Sequence, residues 1–357
     1  MRYISSATIS MGVMSIFLVL IGNPISATRA VIMFLVHMIA DLYGRKYDVL
    51  SALSLAGILL LLDNPYYLIN MSFQLSFMAM MGVTVCITNV MEFVFDDNIN
   101  EKCDKEETSS NRHRCGMNIM RVVEWAKIIC AKLSKIIAFN IALCIVLMPI
   151  NSFLFFRHST YSPFVNMIVV PLVGIVVTMS LCGICVAILF PSVGRFIVGT
   201  SVYILKFFSW LSEQVISLPY SSIVTGKLLV SQVIICYVLL VACVLIMFLY
   251  NEGKLWKRLN KLKIYSMSLV MMGIYFFIIF REKHNGLSVN FLDVGQGSSI
   301  YIKSESGNDY LIDGGSIDEK NIGEYKLEGF LEARQVDSLE YVFVTHCDSD
   351  HISGIIE

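Results

Sequence analysis

The chain has 357 residues, 56% of them hydrophobic and only 15% charged. A soluble domain carries about 25% charged residues, so the deficit argues against an ordinary water-soluble protein and for a membrane protein. The net charge of −1, from 27 basic and 28 acidic residues, excludes no partner, because the charges concentrate in two loops and the C-terminal segment.

A bilayer span needs about 20 mostly apolar residues. From the N-terminus, Ile9–Ile21, Val49–Leu62 and Leu75–Val90 are plausible spans, whereas Ala30–Tyr43 is too short and too polar for a simple lipid-facing helix. A secretory signal peptide ending near Pro24-Ile25-Ser26-Ala27 is the rival reading of the start. Polar residues dilute that stretch and further apolar runs follow directly, which favours a span. Next come Ile136–Phe156 and Phe164–Phe190, the second expected to break at Pro171. Val193–Leu218 mixes Arg195, Lys206 and Glu213 with Phe207, Phe208 and Trp210. It reads as an interfacial amphipathic helix or one lining the protein interior. Leu228–Tyr250 is the clearest span, and Ile264–Phe280 the last. The expectation is a polytopic α-helical membrane domain over residues 1–283 with about seven or eight spans.

Seven of the ten cysteines (Cys86, Cys130, Cys144, Cys182, Cys185, Cys236 and Cys243) sit in apolar runs, where they behave as small hydrophobic residues. Cys182-x-x-Cys185 has metal-like spacing but no second ligand pair nearby. Cys103 and Cys115 share a polar loop and would pair if it faced an oxidising compartment.

Charge also orients the chain. Asn251–Lys263 holds five basic residues, Lys254, Lys257, Arg258, Lys261 and Lys263, against Glu252, the excess that marks a cytoplasmic loop. Everything after the last span is then extracytoplasmic; Arg281 and Lys283 weaken this without reversing it. The loop from Asn89 to Lys135 has eight basic and eight acidic residues and gives no direction.

Polar residues within apolar runs must face protein or water. Arg29, His37 and Asp41 form one group, with His37 and Asp41 at helical i,i+4 spacing. Asn70, Ser72, Gln74 and Ser76 form a second. Asn151, Arg157, His158 and Asn166 flank the central spans. Two accounts stay open: inter-helix hydrogen bonds that fix packing, or a path for a polar substrate, with Arg29, His37, Asp41, Gln74 and Asn166 as candidates.

From Gly286 the pattern changes to short alternating strands and Gly-rich turns. Leu287–Asp293, Ser299–Lys303, Asp309–Asp313 and Leu339–Thr345 read as strands, with a helical stretch near Asn321–Arg334. After the fourth strand stands His346-Cys-Asp348-Ser-Asp350-His351, four potential ligands in six residues. Imidazole and carboxylate suit Zn²⁺ or Mn²⁺, and the cluster would be costly without a cation. Cys347 alternates away from the others and is left out.

Asp293-Val-Gly-Gln-Gly297, Leu-Ile-Asp313-Gly-Gly and Val-Thr-His346-x-Asp348-x-Asp350-His351-x-x-Gly354 resemble the opening motifs of the metallo-β-lactamase superfamily. Asp348 stands where most of that superfamily has a second His, a form common in the ComEC-type competence branch. Upstream, Ser26-Ala-Thr-Arg29-Ala30, Ser72-Phe-Gln-Leu-Ser76-Phe77 and Ser162-Pro-Phe-Val-Asn166 through Val170-Pro171-Leu172 are similar, in order, to a ComEC-type membrane domain. The resemblance implies the N-terminal part of an αββα metallo-β-lactamase fold in residues 286–357. It places His346 and Asp348 on a first metal ion, Asp350 and His351 on a second, and has Asp350 also orient the attacking water. Asp313 and Asp293 would support the ligand loop from behind.

The resemblance further implies a protein of the bacterial cytoplasmic membrane that takes up transforming DNA, works with other competence machinery and carries an extracytoplasmic metal-dependent nuclease. It also implies that an OB-like domain precedes and that further ligands follow. The chain is thus expected to be truncated at both ends, with weak metal affinity and no hydrolytic activity of its own. The alternatives are a membrane-tethered hydrolase of another ester and a transport or structural protein with a vestigial metal domain. Eight or so helices with buried polar groups exceed what an anchor needs. No basic, aromatic-rich groove for single-stranded DNA is evident in the C-terminal segment.

Overall fold

A computed structural model describes residues 2–87, 117–251, 261–281 and 286–357. Cys103, Cys115, Lys254, Lys257, Arg258 and Lys283, used above for pairing and orientation, lie outside the described residues. The chain forms two compact units. One gathers the described parts of Met1–Lys127, Ile145–Leu147 and Val241–Asn260, the other Ile128–Cys144, Met148–Leu240 and Lys261–Glu357.

The first unit begins with helices α1 (Arg2–Leu20), α2 (Ile25–Leu42), α3 (Val49–Asp63) and α4 (Met71–Met81), a 3₁₀ turn (Pro65–Ile69) preceding α4 and a π-helical turn (Gly82–Ile87) extending it. Short polar residues punctuate these helices by capping them. Asp48 accepts from the Ser51 N–H at 2.8 Å, Asn64 from Tyr66 at 3.0 Å and Asn70 from Ser72 at 2.9 Å, each satisfying a backbone donor that the first turn leaves free. Met33, Ala52, Leu53 and Ala56 form a core between α2 and α3, with Phe77 of α4 against it. A Cβ on Gly82 would lie 2.3 Å from Val146, so the missing side chain is what lets these helices approach.

Helix α5 (Met117–Leu154) contributes to both units and contains Pro149. In the second unit follow β1 (Arg157–Ser159), α6 (Ser162–Leu189), α7 (Pro191–Ile216), β2 (Ser222–Val224), α8 (Val230–Asn251, whose later half belongs to the first unit) and α9 (Lys261–Phe280). α6 and α7 form a tight hairpin: a Cβ on Gly194 would sit 2.4 Å from Ala187. β1 and β2 pair antiparallel, Arg157 opposite Val224.

Among the described residues, five stretches are long and apolar enough to cross a membrane: Ile25–Leu42, Leu133–Leu154, Ser162–Leu189, Val230–Tyr250 and Lys263–Phe280. Ser5–Leu20, Val49–Asp63 and Met71–Val85 are apolar but shorter. Large apolar side chains such as Val170, Ile188 and Leu269 stand exposed on these helices, a surface that water does not tolerate at this extent and lipid does. The chain is a multi-pass membrane protein.

Two sequence expectations need correction. Ala30–Tyr43 is not a short polar piece but the end of the 18-residue α2. Extended Pro24 opens that helix, and two of its polar residues are tied within the protein: Thr28 donates to Pro24 O at 3.1 Å and one Arg29 nitrogen to Ser76 O at 2.5 Å. Pro171 does not break α6, which runs unbroken through it for 28 residues; apolar membrane helices tolerate proline where neighbours re-satisfy the backbone.

The C-terminal segment folds as a four-stranded mixed sheet in the order β3 (Ser288–Phe291), β4 (Ile300–Lys303), β5 (Asp309–Ile312), β6 (Tyr341–Phe343). The first two pairings are antiparallel and β5–β6 is parallel. A π-helical turn (Gly323–Glu328) leads into α10 (Gly329–Ala333), and α11 (Ser349–Ile356) ends the chain. Tyr301, Leu311 and Val336 form the core, covered by Phe330, Leu331 and Ile355. The opposite face carries Val289, Phe291, Tyr341 and Phe343, all exposed.

Candidate metal centre

The parallel β5–β6 pair sets the site. Ile312 lies opposite Phe343, so the residues leaving both strands emerge side by side, and the Asp313 N–H donates to Phe343 O at 2.8 Å. Asp313 adopts the left-handed backbone at φ 54°, a conformation that costs ~1–2 kcal/mol outside glycine but that aspartate tolerates. The turn aims its carboxylate back under the loop after β6. There Asp313 is 2% exposed and fully engaged: it accepts from the Thr345 N–H at 2.8 Å, the Thr345 hydroxyl at 2.8 Å and His351 Nδ1 at 2.8 Å. Burial raises its pKa, but hydrogen bonds from the Thr345 backbone, His351 and the Thr345 hydroxyl outweigh burial and hold it below the usual carboxylate range.

That arrangement decides what His351 can do. An ionised carboxylate only accepts, so the proton of a neutral imidazole sits on Nδ1 and the Nε2 lone pair is free. Nε2 lies 3.5 Å from Asp350 Oδ2, and the His346 and His351 rings are 3.8 Å apart. One ligand atom from each of His346, Asp350 and His351 falls within a group no wider than 4.8 Å. Two imidazoles and a carboxylate, one imidazole backed by a buried carboxylate, suit a divalent cation.

Asp348 stands apart. Its side chain is 78% exposed, with Oδ2 3.6 Å from His346 Nε2, and it is outside the three-residue group. Asp293 shapes a turn, accepting from the Gly295 N–H at 3.4 Å, while its carbonyl accepts from Lys326 at 2.9 Å. Of the membrane candidates, Arg29 reaches Ser76 and lies 5.8 Å from the Phe77 ring centre. His37 is 3.9 Å from Asp41 and packs on Tyr47, and Gln74 donates to Leu68 O at 3.0 Å. These four belong to the first unit, Asn166 to the second. Arg157 is ion-paired with Glu332 and, at 3.3 Å, with Glu328.

Two features escaped the sequence reading. Thr345, quoted only as part of a motif, holds Asp313 with both backbone and hydroxyl. The motif glycines, read as turn formers, instead let three backbones touch: a Cβ would lie 2.1 Å from Gly315 O at Gly297, 2.5 Å from the His351 nitrogen at Gly315 and 2.6 Å from Gly314 O at Gly354. Ser298 N–H to Asp350 O (3.0 Å), Gly314 N–H to His351 O (2.8 Å) and Gly354 N–H to Gly314 O (2.9 Å) tie them together. The signal was present as glycine at every motif, but its partner is tertiary.

Comparison with known proteins agrees with this layout. Residues 2–250 match the family described as Competence protein, and residues 292–357 the Metallo-beta-lactamase superfamily. ComE operon protein 3 of Bacillus subtilis (strain 168) is 21% identical over 351 residues, 94% of this chain and 40% of that protein. The chain thus spans less than half the length of that relative. No solved structure matches it.

Proposed function

The chain belongs to the Competence protein family, and from that premise we propose that it serves the uptake of transforming DNA across the cytoplasmic membrane. In this reading the helices give one strand its route. The C-terminal segment is part of an extracytoplasmic metal-dependent hydrolase of phosphodiesters. The observation that carries the hydrolase is the buried Asp313 that holds His351 Nδ1 and frees Nε2 toward Asp350.

His346, Asp350 and His351 would hold Zn²⁺ or Mn²⁺, with Asp348 able to join from the solvent side. Such an ion supplies a Lewis acid that lowers the pKa of water and offsets charge on phosphodiester oxygens. Asp350 orients the attacking water through its second oxygen. Asp313 and Thr345 keep the His351 ring in register, and Asp293 keeps the neighbouring turn. Arg29, His37, Asp41, Gln74 and Asn166 offer polar contacts to the passing strand.

The test uses the full-length protein in its host. Arg29→Ala and Asn166→Leu should each lower transformation at normal protein levels, and His351→Ala should remove metal-dependent cleavage. Normal transformation by both membrane variants returns those residues to packing. Alkaline phosphatase fused after Glu357 should be active; a fluorescent cytoplasmic fusion there reverses the orientation.

A further inference from the structure

The second unit contains a cavity of about 340 Å³ that neither the metal cluster nor the polar membrane groups use. Its walls come from three places: the segment Thr225–Gln232 that opens α8, the end of α9 at Ile278–Arg281, and the C-terminal segment, with Lys303 at the end of β4 and Arg334 after α10. Lys227, Arg281, Lys303 and Arg334 all line it, and among the described residues no acidic one does. Lys303 pairs with Asp309 at 3.6 Å, and Arg334 bonds the neutral Asn290 at 2.8 Å. Among the described residues no ion pair ties Lys227, Arg281 or Arg334 to a carboxylate. The Lys227 N–H donates to Ala333 O at 2.9 Å, which anchors that residue at the rim. The N-terminal turn of α8, where Gln232 caps the Leu229 N–H at 2.8 Å, adds the positive end of a 22-residue helix.

The floor has the opposite character. Leu228 and Leu229 immediately precede α8, and Ile278 and Ile279 lie in the last turn of α9. The cavity therefore lies where those helices leave the hydrocarbon, with apolar walls on one side and, on the other, three cations that pair with no carboxylate among the described residues.

We propose that this cavity binds an anionic phospholipid, the phosphate among Lys227, Arg281 and Arg334 and the first acyl carbons against Leu229 and Ile278. Basic side chains at the headgroup level are attracted to anionic lipid by about a fivefold factor in affinity for each residue. A cavity of this volume, at the low end of the ~300–1,000 Å³ range of small-molecule sites, suits one headgroup better than a polynucleotide. Single-stranded nucleic acid also needs aromatic faces to stack on. The aromatic residue in the lining, Tyr301, is 1% exposed and its hydroxyl is bonded to Asp309.

The test is native mass spectrometry of the delipidated chain in detergent. It is titrated in parallel with dioleoyl phosphatidylglycerol, dioleoyl phosphatidylcholine, glycerol 1-phosphate and an oligothymidylate. Phosphatidylglycerol should bind about tenfold tighter than phosphatidylcholine. Lys227→Gln and Arg334→Gln should each weaken phosphatidylglycerol about fivefold, whereas Lys320→Gln, outside the cavity, should change nothing. Should Arg334→Gln unfold through loss of its Asn290 bond, Lys227→Gln decides alone, because its side chain is exposed and its described tie is through the backbone. Equal affinity for the two lipids overturns the proposal without any variant. So does glycerol phosphate binding as tightly as the lipid, which makes this a free-phosphate site. Oligothymidylate binding that falls with Lys227→Gln overturns it in favour of nucleic acid.

Discussion

The Asp313–His351 pair and the polar group between α2 and α4 treat burial in opposite ways. Around the metal centre Asp313 has both oxygens engaged, and a single ring nitrogen of His351 is left uncommitted and aimed at Asp350. At α2 and α4, by contrast, Arg29 Nε, His37 Nδ1, Gln74 Oε1 and Ser76 Oγ are all buried without a hydrogen-bond partner among the described residues. An unpartnered buried polar group costs about 1–3 kcal/mol, so four in one helical neighbourhood is an expensive way to pack helices. The difference teaches that burial by itself does not define a site. At Asp313 and His351 every polar atom but the ring nitrogen facing Asp350 is engaged, which suits a fixed ion. The other region leaves several groups open at once, which suits a substrate that exchanges partners as it moves.

The sharpest break of this contrast is His351→Ala. It should cost more than about 100-fold in Mn²⁺ affinity of the chain by isothermal titration calorimetry; unchanged affinity would mean that the cluster holds no ion. Asp313→Asn keeps the backbone turn but loses the charge behind His351, and should cost about 10–100-fold. If it costs nothing, the buried carboxylate has a purely structural role. Gly315→Ala forces a Cβ against the His351 backbone and should lower stability by about 1–3 kcal/mol, read as a drop in the unfolding midpoint in detergent. Gln74→Leu sharpens the other half of the comparison. Losing the unpaired acceptor offsets losing the Nε2 bond to Leu68 O, so stability should change by no more than ~1 kcal/mol either way, while transformation by the full-length protein falls. A destabilised variant with normal transformation would show ordinary packing. Asp348→Ala, at an exposed position, should change metal affinity by less than about fivefold; a larger loss would bring Asp348 into the cluster.

Composition and periodicity alone were enough to read the multi-pass character, because about 20 apolar residues in a row have no stable place in water. The four C-terminal strands and the ligand-rich turn were equally legible, since alternation, Gly turns and His/Asp density are local properties. Helix ends were less so. Ser26, Thr28 and Arg29 look like a break in an apolar run, and their membership in α2 depends on the bonds to Pro24 and to Ser76, the second 47 residues away.

What only the tertiary structure decided is which of the motif residues act together. The spacing His346-x-Asp348-x-Asp350-His351 makes four ligands equivalent on paper. The start of α11 at Ser349 turns Asp350 and His351 inward and leaves Asp348 in solvent. Asp313 enters from 38 residues away because β5 and β6 run parallel, a pairing that no local pattern encodes. The basic cavity has the same origin: Lys227, Arg281 and Arg334 are scattered through the sequence and share one wall only after the ends of α8, α9 and α10 meet. Local pattern sets which residues carry ligand-type or charged side chains; long-range pairing sets which of them lie together.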